Sequence, residues 1–183
     1  ELSDIIKTLE EQRAMDPQEL KDWFWDMFIV DALIGNWDRH NGNWGFLYDS
    51  KTDVISLAPV YDCGSCLFPQ ADEEIMKKTL EDPAELELRI FERPLSGIKE
   101  NGQKIQYFKF ISSLKNKDCN KALKRIVPRI DINKIYELIE TTPFLSELQR
   151  QFYKTMLRTR KERILDFSLQ KLRRRERSRE QGR

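Results

Sequence analysis

The stretch Asn36-Trp37-Asp38-Arg39-His40-Asn41-Gly42-Asn43 carries an acid, an imidazole, a cation and three carboxamides within eight residues. A connecting turn needs only one or two such polar groups. This density, set between two apolar stretches, points to chemistry. A second polar group, Asp62-Cys63-Gly64, follows nineteen positions after Asn43.

Working outward, Asp16-Pro17-Gln18-Glu19 supplies an N-cap residue, a proline at the first helical position and a glutamate in the first turn. Leu20, Phe24, Met27, Phe28, Asp31 and Ile34 follow at helical spacing and Gly35 is a stop. A central buried helix over about 17–34 therefore feeds the polar loop. After it, Trp44–Tyr48 and Val54–Ala58 are short runs rich in aromatic and β-branched residues, separated by Asp49-Ser50-Lys51-Thr52-Asp53, which predicts a β-hairpin. Antiparallel strands lie about 5 Å apart, so the residue before the first strand meets the residue after the second. Asn43 and Asp62 are expected to be neighbours, with Asp38 at the same end. A carboxylate and a carboxamide oxygen converging on one point suit Mg²⁺, which takes one or two protein oxygens and completes its octahedron with water and substrate phosphates. Phosphoryl transfer requires that set, with one further carboxylate to orient and deprotonate the attacking hydroxyl.

The Asp-x-His-x-x-Asn spacing of Asp38, His40 and Asn43, placed after Leu33-Ile34-Gly35-Asn36 and followed by Leu57-Ala58-Pro59-Val60-Tyr61-Asp62, resembles the C-terminal domain of HipA-like serine/threonine kinases. The resemblance covers about residues 28–64. It implies Asp38 as catalytic base, His40 as a supporting group near the transferred phosphoryl, and Asn43 and Asp62 as metal ligands. ATP and Mg²⁺ are the implied cofactors, and a DNA-binding antitoxin-like protein is an implied partner. Asp62-Cys63-Gly64 stands where protein kinases carry Asp-Phe-Gly. The string Asp-Arg-His-Asn-x-Asn is also similar to phosphoinositide kinases. Arg39, Asn36 and Asn41 read as loop scaffolding, and Trp37 and Trp44 as packing residues.

The expected fold is mainly α with a small β-hairpin, an α+β arrangement like the C-terminal lobe of a protein kinase. Residues 1–170 form that lobe, with a catalytic loop at 36–43 and a metal loop at 59–65. Further helices are expected at about 71–80, 107–113, 120–126, 132–140 and 143–175. The last carries a buried stripe of Phe144, Leu148, Phe152, Met156, Ile164, Leu165 and Leu169. Residues 82–102, broken by Pro83, Pro94, Gly97 and Gly102, read mostly as loop. Residues 171–183 form a basic tail with seven basic and two acidic residues.

Whole-chain charge is +1, from 32 basic and 31 acidic residues, so there is no nonspecific attraction to nucleic acid or membrane. Three cysteines, an odd number, fit a reducing, cytoplasmic setting, and no transmembrane or signal segment is present. One His and three Cys do not complete a zinc site, and Cys63-Gly-Ser-Cys66 lacks the βαβ context of a redox motif.

A kinase also needs a sheet with a loop over the phosphates and a pairing lysine. Only 35 residues precede the loop, and Lys7 and Lys21 are their only lysines. The expectation is a catalytic lobe that acts with an N-terminal lobe, upstream or on another subunit, on a protein substrate. The competing readings are a phosphoinositide or small-molecule kinase lobe, and a noncatalytic pseudokinase-like module binding a partner or DNA through its arginine-rich tail.

Overall fold

The computed structural model describes residues 1–181. Nine α-helices and two antiparallel strand pairs, with two π-helical turns and one 3-10 turn, are the regular elements among those residues. Helix α1 (Leu2–Glu11) packs on α2 (Pro17–Ile34), the hub of the core. Asp16 Oδ1 accepts from Glu19 N at 2.9 Å, Pro17 opens α2, and Gly35 closes it at φ +67°. These are the start and stop signals of the sequence. A side chain at Gly35 would be strained by that φ.

Leu20, Phe24, Trp25, Phe28, Ile29 and Ala32 of α2 are fully buried. Trp25 stacks on Phe110 with centroids 5.7 Å apart, and Phe28 lies 5.2 Å from Tyr107. Both partners belong to α5 (Tyr107–Ser113). Helix α6 (Lys117–Ile126), capped by Asn116, lies along α2, and Arg125 grips Asp26 through Nε at 3.0 Å and Nη2 at 2.7 Å.

The hairpin pairs β1 (Phe46–Asp49) with β2 (Val54–Leu57), Phe46 opposite Leu57. Pairing starts two residues later than Trp44, which turns inward against Trp23 and Phe24. Phe46, Leu47, Tyr48, Val54 and Ile55 are all exposed, so neither face of the ribbon is covered by the described residues.

Helix α3 (Glu73–Glu81) is capped by Asp72. The segment expected to be loop is instead α4 (Pro83–Glu87), a π-helical turn (Leu88–Glu92) and a short ribbon of β3 (Lys99–Glu100) and β4 (Gln103–Lys104). Pro83 opens its helix at the first position, where it costs nothing. Ile90 and Ile98 anchor this region in the core.

Helix α7 (Ile132–Thr141) leads to a helical rod made of α8 (Glu147–Arg160), a π-helical turn (Lys161–Asp166) and α9 (Phe167–Gln181). The rod starts four residues later than expected. Ser146 and Gln149 form a reciprocal capping box, which fixes the start. Phe144, expected in the buried stripe, lies before that cap at φ +65° and is fully exposed. Phe152, Met156, Ile164, Leu165 and Leu169 are buried as the spacing predicts. The basic segment continues α9 at least to Gln181, with Leu172 buried, Lys171 donating to Ser112 O at 2.8 Å and Arg175 to Leu114 O at 2.9 Å. Gly182 and Arg183 of that segment lie outside the described residues.

Candidate active site

The polar loop leaves the C-terminus of α2 and is built around one buried arginine. Arg39 Nε and Nη2 bond the two carboxylate oxygens of Asp31, at 2.9 and 3.0 Å. Its Nη1 donates to Asn43 O at 2.6 Å and to Tyr61 O at 2.8 Å. Burial disfavours the guanidinium's charge, but the Asp31 carboxylate outweighs it and holds the pKa above the usual arginine range.

One guanidinium thus ties the end of the polar loop to the residue before Asp62. Tyr61 OH adds a bond to Gly42 O at 3.1 Å, and Ala58 N donates to Gly45 O at 3.0 Å. The sequence argument that the hairpin makes Asn43 and Asp62 neighbours agrees with this geometry. Arg39 acts as scaffolding, and so does Asn36, whose Nδ2 bonds Asp31 at 3.0 Å while its Oδ1 accepts from Asp38 N at 3.1 Å.

Asn43 is buried, and its Nδ2 donates to Asp38 O at 2.8 Å. That bond orients the amide and, among the described residues, leaves Asn43 Oδ1 without a donor. Asp38 is half-buried, and Asp62 is exposed with φ +54°. The left-handed turn at Asp62 is a position where Asp is tolerated through local hydrogen bonding. His40 is exposed at the loop tip, and its Nδ1 accepts from Gly42 N at 3.0 Å. The acceptor role of Nδ1 leaves the proton of the neutral ring on Nε2, pointing away from the loop backbone.

Among the described residues no three His, Cys, Asp or Glu side chains converge to form a protein metal cage. The donor set fits Mg²⁺ nonetheless, because an unpartnered amide oxygen and an exposed carboxylate at one mouth are the one or two hard ligands this ion takes when phosphates supply the rest.

Three supports of this loop do not stand out in the sequence. Asp31 sits in the apolar register of α2, yet anchors Arg39. Tyr107 donates its hydroxyl to Asn36 O at 2.6 Å, and burial pushes its pKa up. Gly97 presses against the loop's underside, where a Cβ would lie 2.9 Å from Arg39 O and 3.2 Å from Trp37 O. Only the lack of a side chain permits that approach.

The model of the HipA-like C-terminal domain matches residues 1–131. The chain belongs to this family. The HipA-like domain is 49% identical over 168 residues to the serine/threonine-protein kinase CtkA of Helicobacter pylori strain J99, covering 91% of this chain and 52% of that protein. It therefore spans about half the length of the curated relative it matches. It also superposes on the crystal structure of the Helicobacter pylori proinflammatory kinase CtkA with a TM-score of 0.90 at 48% identity, covering 92% of this chain and 62% of that one. The architecture of the HipA-like domain, mostly helical with small antiparallel strand pairs, one of them beside the Asp38 loop, is that of a kinase-like C-terminal lobe. The family match ends at residue 131, so the rod from Glu147 onward extends the resemblance only through these relatives.

Proposed function

We propose that this HipA-like domain is the catalytic C-terminal lobe of an ATP-dependent serine/threonine protein kinase, completed by an N-terminal lobe that covers the nucleotide. The observation that carries the proposal is the Arg39 strap, which ties the backbone of Asn43, itself bonded to Asp38 O, to that of Tyr61, the residue before Asp62.

In this reading Asp38 orients the hydroxyl of a protein Ser or Thr and takes its proton as the oxygen attacks the γ-phosphorus. The new O–P bond forms as the bond to the bridging oxygen breaks, and ADP leaves. Asn43 Oδ1 and the Asp62 carboxylate would hold Mg²⁺, which when bound neutralises charge on the phosphates. His40, with its Nε2 proton turned outward, is placed to donate to a phosphoryl oxygen. Asp31, Asn36, Tyr107 and Gly97 hold this loop rigid without touching substrate.

The second lobe is supported by what surrounds the mouth. Lys7 and Lys21, the lysines upstream of the loop, are paired with Glu11 at 3.8 Å and Glu10 at 2.9 Å. Both lie on the α1–α2 surface and neither belongs to the polar loop. Phe46, Leu47, Tyr48, Val54, Ile55, Val60 and Tyr61 are exposed together around the hairpin. Apolar surface of that extent marks an interface, and the half of the relative not matched by this chain is its natural occupant. No described helix is long and apolar enough to cross a membrane, and the three cysteines are free, which supports a cytoplasmic setting. A DNA-binding antitoxin-like partner enters this proposal through family membership.

The test is transfer of labelled γ-phosphate from ATP with Mg²⁺ by the intact protein, comparing wild type with Asp38→Asn and Asp62→Ala. Label on Ser or Thr, lost in both variants by roughly 10²-fold or more, is the expected result. Turnover unchanged in Asp62→Ala would remove its ligand role. Calorimetry of residues 1–183 with ATP and Mg²⁺ should show little heat, and tight binding would remove the need for a second lobe.

A further inference from the structure

A cavity of about 530 Å³ opens beside the Asp38 loop, and neither Asn43 nor Asp62 lines it. Its walls include Trp37, the residue before Asp38, together with Phe68, Ile75, Arg89, Arg93 and Pro94. The volume falls within the range of peptide and small-ligand sites.

The charge in this cavity is one-sided. Two arginines line it, and no acidic residue does. Arg89 is engaged, with Nε donating to Thr79 Oγ1 at 2.8 Å and Nη2 lying 3.9 Å from Glu85. Arg93 is exposed, and among the described residues no carboxylate lies within ion-pair distance of it. The two acids that precede it most closely in sequence are committed elsewhere, Glu92 accepting from Gln106 Nε2 at 2.7 Å and Glu87 from Arg163 Nη2 at 2.8 Å.

The position of Arg93 is fixed from below. Pro94 lies 3.4 Å from where a Gly35 Cβ would be, and Gly97 touches the backbone of Trp37 and Arg39. The segment that follows Arg93 is therefore packed against both ends of the turn that leads into Asp38.

We propose that this cavity selects the protein substrate, taking an acidic residue of the substrate chain on Arg93 with an apolar neighbour against Trp37 and Phe68. The inference rests on the kinase reading above and deepens it. Trp37 is the residue before Asp38, so a peptide whose hydroxyl reaches Asp38 and whose next residues run over Trp37 enters this cavity along its own chain. Arg93 is a specificity-determining residue in this scheme. It touches the substrate but not the transferred group.

The experiment is a positional-scanning library of Ser and Thr peptides phosphorylated by the intact protein with Mg²⁺ and ATP, for wild type and Arg93→Glu. In parallel, polarisation measures binding of a fluorescein-labelled serine peptide flanked by glutamates, against its lysine counterpart. The wild type should favour Asp or Glu over Lys by roughly tenfold at one position near the acceptor, as one charge-assisted contact provides. Arg93→Glu should reverse that preference toward Lys and Arg. A merely structural role would lower all peptides alike, and that uniform loss, or an unchanged preference, overturns the inference while leaving the kinase reading intact. Binding that favours glutamate and reverses in Arg93→Glu, with no phosphate transferred, supports the cavity and sinks the kinase reading. No preference in either assay overturns the inference.

Discussion

Arg39 and Asp31 form a two-point ion pair, 2.9 and 3.0 Å, with both side chains out of contact with solvent. The pair joins the last turns of α2 to the loop that carries Asp38, and the remaining guanidinium nitrogen reaches across to Tyr61. Geometry of the mouth depends on a contact between residues eight positions apart.

Removing one partner strands the other. Asp31→Ala or Arg39→Ala should each cost about 3–5 kcal/mol in urea unfolding, because an uncompensated charge stays buried. The double variant Asp31→Leu with Arg39→Met should recover much of that loss. It should remain without phosphate transfer, since the guanidinium bonds to Asn43 O and Tyr61 O are then gone. Recovery of activity along with stability would show that the strap is dispensable.

Gly97→Ala puts a methyl group 2.9 Å from Arg39 O. Backbone cannot yield as a side chain would, and the expected loss is about 1–3 kcal/mol with reduced transfer in the intact protein. Gly102→Ala is the control. It meets nothing within 4 Å at φ +79°, so only conformational strain of about 1 kcal/mol is expected, with activity kept.

Tyr107→Phe deletes a single hydroxyl and leaves the Asn36 carbonyl without its 2.6 Å donor. Thermal or urea unfolding should register a loss of about 1–3 kcal/mol. Wild-type stability in this variant would mean that another donor takes over.

The thiols give a pH signature. Burial, and after it the neighbouring Cys63, pushes the Cys66 thiol up to about 12, and burial also raises Cys119. Each folded pKa lies above its unfolded value near 9.0. Between those limits the unfolded chain has released protons that the folded chain retains, so stability is full below about pH 9 and falls as pH rises further. Alkylation at pH 8 followed by peptide mass spectrometry should label exposed Cys63 well before Cys66 and Cys119. Equal labelling rates would contradict the packing around Cys66.

Leu47 and Tyr48 are 53% and 61% exposed, so Leu47→Asp and Tyr48→Asp should leave unfolding of residues 1–183 within about 0.5 kcal/mol of wild type. If the proposed N-terminal lobe docks on this hairpin, the same changes should weaken ATP binding by the intact protein. A large stability loss in the isolated chain would instead show that the hairpin packs on its own lobe.

Helix α2, the hairpin and the Asp38 loop are written locally: Asp16 and Pro17 start, Gly35 stops, and the 49–53 turn sets the register. The support around Gly97 is not, because its order comes from the backbone of Trp37 and Arg39, about sixty residues earlier in the chain. Asp31 is invisible for another reason. A carboxylate on an apolar helix face reads as an interruption until its arginine is known. Phe144 misleads in the opposite direction, since aromatic spacing suggests a buried stripe while the Ser146 cap two residues later excludes it from the helix.

Arg160 lies buried in the rod with no carboxylate partner among the described residues, its Nε on Ala32 O at 2.9 Å and its Nη1 on Arg89 O and Ile90 O at 3.0 and 3.1 Å. Burial lowers its pKa to about 10. It closes the last turn of α2 from 128 residues away. On the ribosome, at about 5–20 residues per second, the loop after α2 is synthesised on the order of ten seconds before the residue that fastens its parent helix. Throughout that interval the last turn of α2 lacks the arginine that later closes it, so the loop carrying Asp38 takes its final setting only when the rod has been made.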